Sequence, residues 1–230
     1  MSGSDASFWE RVEQVERFAS REPDHRLAAL VEQYADHRTI RVLDVGCAGG
    51  RNTEFLARLG FDVWAVDAAR AMVERTRGRL APIIGAEEAS ARVTRGGMDR
   101  LTRFRDGEFH LVVALGVYHQ APSEAVWRRA LEETARVLRP AGRLLVATFD
   151  PRSRPDGTPL EPVAGQPHLY HGFPSGPLYL VAAGDLDRSL ARVGLVPEVP
   201  TETVEVRQEN GGCRFTVNGL YRRAARENRP

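Results

Sequence analysis

Apolar residues recur at helical intervals near the start of the chain: Phe8, Val12, Val15 and Phe18, then, beyond Pro23, Leu27, Leu30 and Val31. This spacing predicts two helices that pack onto a sheet through Trp9 and Phe18. Ser7 is the predicted cap of the first, with Glu10 three positions on as its capping-box partner. The period then changes. "IRVLDVG" is a short apolar run, and "RNTEFLARLG" returns to helical spacing and stops at Gly60. "DVWAVDA" and "ARAMVERTRGRLA" repeat that pair, and "ARVTRG" is a short third strand. "FHLVVALGV" is apolar without a break, as a parallel strand buried on both faces requires. "SEAVWRRALEETARVL" reads as an amphipathic helix capped by Ser123, and "GRLLVATF" as a fifth strand.

Strands alternating with helices through Phe149 predict an open α/β sheet with right-handed crossovers. The next stretch, "DPRSRPDGTPLEPVAGQPHLYHGFPSGP", is rich in Pro and Gly and has no period, which predicts a functional loop or lid. A helix, "AGDLDRSLARVG", and two strand-like segments, "VPTETVEVRQ" and "CRFTVNGLYRRA", follow. Asn210-Gly211-Gly212 between the last two predicts a hairpin, hence an antiparallel end to the sheet. The expected organisation is a single domain over 1–230. Its parts are a helical cap at 1–38, a core at 39–150, a lid at 151–183 and a C-terminal helix and hairpin at 184–230.

Charge narrows the partners. The 32 basic residues against 31 acidic ones leave a formal charge of +1, without the excess that a nucleic-acid-binding face requires. All the basic residues are arginine, a compositional bias. Two cysteines, Cys47 and Cys213, offer neither a disulfide framework nor metal-ligand spacing, so no metal is expected. The N-terminal segment lacks an apolar leader core and no run has membrane-spanning length, which makes the expected location cytoplasmic.

The chemistry centres on "RVLDVGCAGGRN", a glycine turn after the first strand. A phosphate loop ends in Gly-Lys-[Ser/Thr], and this chain has no lysine. A dinucleotide turn wants a third glycine where the register from Gly46 places Arg51, a long side chain that obstructs helix packing. "VLDVGCAGGRN" resembles motif I of class I S-adenosylmethionine-dependent methyltransferases, with Asp44, Gly46, Ala48 and Gly50 in the positions of D-x-G-x-G-x-G. "VWAVDAA", "TRGGMDRL", "EFHLVVALGVYHQAP" and "RVLRPAGRLLVATF" resemble the later motifs of that family in order. Asn52 after "GGR" is similar to the tellurite-resistance branch and to type 11/12-like enzymes that act on small molecules.

The resemblance implies a Rossmann-like three-layer sandwich with seven strands, five parallel and two in the antiparallel C-terminal hairpin. It implies S-adenosylmethionine as cofactor, with S-adenosylhomocysteine as product. The cofactor residues would be Asp44, Gly46, Cys47, Ala48, Gly50, Asn52, Asp67, Ala68, Met72, Met98, Asp99 and Leu115. Asp44 would place negative charge near the cation, Asp67 would hold the ribose hydroxyls, Asp99 would accept from the adenine amino group, and Leu115 would lie beside the methyl. Tyr118, His119, His168, Tyr170 and His171 are the acceptor-side candidates. His119 and His171 are the candidate bases, because imidazole titrates near neutrality.

Three positions depart from the family pattern. Ala48 replaces a glycine and is at ease only at negative φ, Ala141 replaces the first glycine of Pro-Gly-Gly, and His110 stands where an acid is common. The expected reaction is methyl transfer to O, N or S of a small-molecule acceptor. Two other readings stay open: a nicotinamide-dependent oxidoreductase, and a non-catalytic regulator that binds S-adenosylmethionine. Neither a nucleic acid nor a membrane is an expected partner, and monomer and homodimer are both open.

Overall fold

The computed structural model describes residues 6–208 and 210–225, with Ala6 and Ser7 described by backbone alone. Helices α1 (Ala6–Glu10), α2 (Val12–Ala19) and α3 (His25–Val31) precede strand β1 (Arg41–Val45). Then come α4 (Arg51–Arg58), β2 (Asp62–Asp67), α5 (Arg70–Ile84), α6 (Ala86–Arg92), β3 (Val93–Arg95) and β4 (Phe109–Leu115). Helix α7 (Glu124–Val137) leads into β5 (Leu138–Phe149). Beyond it lie three short strands, β6 (Glu161–Pro162), β7 (Leu169–His171) and β8 (Leu178–Tyr179). Helix α8 (Ala183–Ala191) and strands β9 (Leu195–Pro197), β10 (Glu202–Arg207) and β11 (Cys213–Arg223) complete the described chain.

The main sheet runs β10-β11-β5-β4-β1-β2-β3, with β9 pairing to the end of β11. Strands β3, β2, β1, β4 and β5 are mutually parallel, while β11 is antiparallel to both β5 and β10. This is the expected sheet. Helices cover both faces, so alternate residues of one strand enter different cores. In β4, Leu111 and Val113 join Leu27, Leu56 and Leu80 on one side. Val112 and Ala114 join Trp127, Leu131 and Val146 on the other.

Local details depart from expectation for identifiable reasons. The first predicted helix is two, because Arg11 is extended (φ −71°, ψ 134°). The break shifts the helical phase and leaves Val12 77% exposed instead of in the apolar stripe. Ser7 lies inside α1, and its side chain is outside the described residues. Glu10 caps a different helix: its carboxylate oxygens accept the N–H groups of Arg70 and Ala71 at the start of α5, at 2.7 and 2.9 Å. The lid is not structureless, since β6, β7 and β8 form a small antiparallel sheet whose strands are too short to show a period. Helix α6 is an additional element between the second expected helix and the third strand. The cap of α7 is as expected, with Ser123 Oγ accepting the Val126 N–H. Among the described residues no helix is long and apolar enough to cross a membrane.

Candidate functional site

Strand order reverses between β1 and β4, the place where an open α/β sheet leaves a crevice beyond its strand ends. The glycine turn lies there. Gly46 has φ +71°, and a Cβ on it would stand 2.6 Å from the Val117 side chain, so only glycine fits. Its N–H and that of Cys47 both donate to the Val66 carbonyl, tying the turn to β2. Gly49 meets helix α2, where a Cβ would stand 2.6 Å from that of Ala19. Ala48 has φ +48°, against the expectation of negative φ. What holds it there is its N–H, which donates to Asp67 Oδ2 at 2.9 Å.

Asp67 therefore organises two elements. One oxygen pins the turn through Ala48, and the other accepts the Ala69 N–H at 2.9 Å, at the start of α5. Burial raises its pKa, against the lowering effect of those N–H donors. Asp44 is 2% exposed and accepts a 2.7 Å hydrogen bond from Thr53 Oγ1. Burial pushes its pKa up to about 6, although the Thr53 hydrogen bond and the Arg51 charge act in the other direction. Cys47 is buried and its thiol pKa is pushed well above the ordinary value by burial and by Asp67 and Asp44. That makes it a packing residue, not a nucleophile.

Other expected cofactor residues are distributed around this turn. Ala68 is exposed at the end of β2, and Met72 is buried beneath Val15 and Trp9. Asn52 points to the helical cap, accepting the Asp24 N–H at 3.0 Å. Met98 is half-buried against the main core, and Asp99 pairs with Arg129 at 3.2 Å. Of the two remaining departures from the family pattern, Ala141 has φ +60°, and His110 Nδ1 accepts the Arg41 N–H at 3.1 Å near the opposite end of the sheet.

A cavity of about 720 Å³ opens beside the turn. Its floor is Leu115 and Gly116 at the end of β4 with Ala147 and Phe149 of β5, and the lid contributes Phe173 and Leu178. His119 lines it, 4% exposed, with its ring stacked 4.2 Å from Phe149. Among the described residues, six buried side-chain polar atoms have no hydrogen-bond partner. Four of them, Gln14 Oε1, His119 Nδ1, Gln120 Oε1 and Gln208 Nε2, belong to residues lining this cavity. Buried polar groups are rarely left unpaired, so their concentration among these residues singles this cavity out as the candidate site.

The remaining acceptor-side candidates lie elsewhere in the structure. Tyr118 is fully buried, its hydroxyl 2.6 Å from Thr134 Oγ1 and its ring edge-on to Trp127, so it is a core residue. His168 lines a separate cleft of about 260 Å³ with Trp127 and Tyr179. Tyr170 and His171 are outside the main cavity, and His171 is exposed where β7 pairs with β6. The sequence reading missed Arg17, Arg21, Arg214, Phe149 and Phe173, all of which line the cavity. Their elements are far apart in sequence and meet only through the fold.

Comparison with known proteins agrees with this geometry. Residues 42–142 match a family model described as a methyltransferase domain. The chain is 34% identical over 110 residues to a ubiquinone biosynthesis O-methyltransferase of Xanthomonas oryzae pv. oryzae, covering 48% of this chain and 43% of the relative. It thus spans about half the length of the curated relatives it matches. A Burkholderia thailandensis 1,6-didemethyltoxoflavin-N1-methyltransferase, solved with its 1,6-didemethyltoxoflavin and S-adenosylhomocysteine, superposes with a TM-score of 0.60 at 18% identity, covering 94% of this chain and 81% of that one. An amino pentose methyltransferase of Micromonospora echinaspora, solved with S-adenosylmethionine, gives a TM-score of 0.61 at 20% identity, covering 92% and 96%. Residues 42–142 thus match a methyltransferase domain, and the chain shares its fold with solved S-adenosylmethionine-dependent methyltransferases.

Proposed function

We propose that the protein moves the sulfonium methyl group of S-adenosylmethionine to an oxygen, nitrogen or sulfur of a small-molecule acceptor. The observation that carries this reading is the turn pinned to Asp67, next to a cavity whose lining residues include four with a buried, unpaired polar atom. The residues present suit the cofactor. Asp67 has lone pairs left after its two N–H bonds, as ribose hydroxyls require, and Asp44 is a buried carboxylate whose charge a nearby ammonium would stabilise. Gly46, Cys47, Ala48 and Gly50 would bring backbone close to the aminocarboxypropyl end, with Ala68, Met72, Met98 and Asp99 around the nucleoside. Asn52 would act through its tie to Asp24.

Bound there, S-adenosylmethionine supplies a methyl group already activated by the sulfonium charge. The protein's contribution is then mainly alignment, which lowers such barriers by about 7–11 kcal/mol in favourable cases. Leu115 and Gly116 form the floor on which acceptor and methyl would meet, with Phe149 and Phe173 excluding water. Burial, with Arg214 nearby, pushes the His119 pKa down to about 3. The imidazole is therefore neutral at neutral pH, and its unpaired Nδ1 would accept a hydrogen bond from the acceptor O–H or N–H. A pKa so far below neutrality suits His119 to accepting a hydrogen bond that orients the acceptor, not to taking its proton, and His171 lies outside the cavity.

Calorimetry with S-adenosylhomocysteine and with NAD tests the cofactor assignment. The reading expects binding of the first alone, and Asp67→Ala should weaken it by about 1–3 kcal/mol. Unchanged affinity in that variant overturns the ribose role. A screen of acceptors with labelled methyl donor tests the reaction, and cofactor binding without transfer to any of them would favour the regulatory reading. The proposed acceptor class is small molecules. The proposed location is the cytoplasm, where the free cysteines Cys47 and Cys213 suit a reducing medium.

A further inference from the structure

The charges around the cavity are lopsided. Five guanidinium groups line it, those of Arg17, Arg21, Arg26, Arg51 and Arg214, against two carboxylates, Asp24 and Asp156. Asp24 is neutralised by its ion pair with Arg26 at 2.6 Å, and Asp156 is an exposed turn residue bonded to Thr158. Among the described residues Arg51 donates to the Glu22 carbonyl, at 2.7 Å, and to no carboxylate. Arg17, Arg21 and Arg214 have no ion pair among the described residues. Arg21 lies over the Phe18 ring at 4.6 Å and Arg214 over Phe149 at 5.7 Å, both half-buried. Burial and mutual repulsion lower the pKa of Arg21, and burial with the Arg17 charge lowers that of Arg214. A chain of net charge +1 has thus gathered Arg17, Arg21 and Arg214 around one cavity with no carboxylate paired to them among the described residues.

An oxyanion in the cavity would relieve that repulsion, and guanidinium forks suit carboxylate and phosphate geometry. Two molecules of the proposed reaction can bring one: the cofactor's amino acid end and the acceptor. Their places differ. The glycine turn follows β1, whereas Arg214 is on β11, two strands beyond β4, against the Phe149–His119 stack. We propose that Arg214, set apart from the turn, holds a carboxylate or phosphate carried by the acceptor, so that the substrates are small oxyanions. Arg21 aids it, lining the same cavity from just beyond the end of α2, where that helix packs on Gly49. This rests on the methyltransferase reading for the word acceptor, but the anion site itself is testable without turnover.

The experiment measures thermal stabilisation and calorimetric binding of benzoate, phenyl phosphate and the neutral isostere benzamide, alongside S-adenosylhomocysteine. Wild type should bind benzoate or phenyl phosphate at least tenfold more tightly than benzamide. Arg214→Gln and Arg21→Gln should each weaken the anion about 10- to 100-fold while S-adenosylhomocysteine binding stays within about twofold. Equal binding of benzoate and benzamide, or anion affinity unmoved in both variants, overturns the anion site. Loss of S-adenosylhomocysteine binding in parallel with anion binding assigns these arginines to the cofactor and overturns the acceptor assignment. Arg214→Lys keeps the charge if Arg214→Gln folds poorly, and should retain part of the anion affinity. Failure of wild type to bind S-adenosylhomocysteine, with the benzoate preference intact, defeats the methyltransferase reading alone.

Discussion

Asp44 shows how one buried carboxylate couples ligand binding to protons. Its pKa, pushed up to about 6, lies above that of the unfolded chain, so the folded state holds the proton more tightly. Stability from this group is present at low pH and is lost as pH rises from about 4 to about 6, on the order of 3 kcal/mol in all. A ligand ammonium beside Asp44 reverses this by favouring the charged form. Binding of S-adenosylhomocysteine near pH 6 should therefore release up to about half a proton per molecule, and affinity should rise from about pH 5 to about pH 7. Calorimetry in buffers of different ionisation enthalpy measures the proton count, and Asp44→Asn should abolish both effects. Affinity flat over that range separates Asp44 from the ammonium. Ala48 and Ala141 carry a different residue-scale cost, since both have positive φ, at +48° and +60°. Ala141→Gly should raise stability by about 0.5–1 kcal/mol, read as a higher midpoint in thermal melts. That both positions take the place of a family glycine was legible in the sequence. The positive φ of Ala48 was not, because it depends on a hydrogen bond to Asp67 nineteen residues away.

At the scale of elements, the helical cap and α5 form one device. Helix α5 begins after Ala69, which has no side chain to cap it, and Glu10 of α1 accepts the next two N–H groups. Met72 of α5 packs with Val15 of α2, and Arg75 pairs with Glu16 at 2.9 Å. Glu10→Ala should cost about 1 kcal/mol. The amides of Arg70 and Ala71 should then exchange roughly fivefold faster, by hydrogen exchange with mass or NMR detection. Unchanged exchange at these two positions would show that the cap is held by packing alone. Glu10 was singled out in the sequence, but as a partner for Ser7. A capping box requires the acid to lie three residues after its own cap, and the break at Arg11 left Glu10 free to serve a helix sixty residues on.

Across the whole molecule, the C-terminal segment is locked to the sheet through Asp187. Its Oδ1 accepts from the Tyr221 hydroxyl of β11 and from Thr201 Oγ1, each at 2.6 Å. The Tyr221 ring lies in the same core cluster as Trp127 and Leu186. Tyr221→Phe should destabilise by about 1–3 kcal/mol, measured as a lower urea midpoint. We propose that the chain folds as a single domain. Wild-type unfolding followed by far-UV circular dichroism and by tryptophan fluorescence should give coincident transitions, and a separate transition for either probe would divide it.

Periodicity determined the alternation of strands and helices, because burial on both faces of a parallel sheet demands continuous apolar runs such as "LVVAL". Local spacing also determined the glycine turn and the acid ending β2, since each is set by its own few residues. The acceptor side was another matter. Tyr118 and His119 are neighbours in sequence, yet one entered the core and the other faced the cavity, a choice made by the short 3-10 turn that carries them. His168 and His171 fell away because the lid folded into strands of two or three residues, below the length at which a pattern can speak. The gathering of Arg17, Arg21, Arg51 and Arg214 was decided by tertiary structure alone. A near-zero net charge hides where charges meet, and only packing α2, α4 and β11 around one cavity turned scattered arginines into a field.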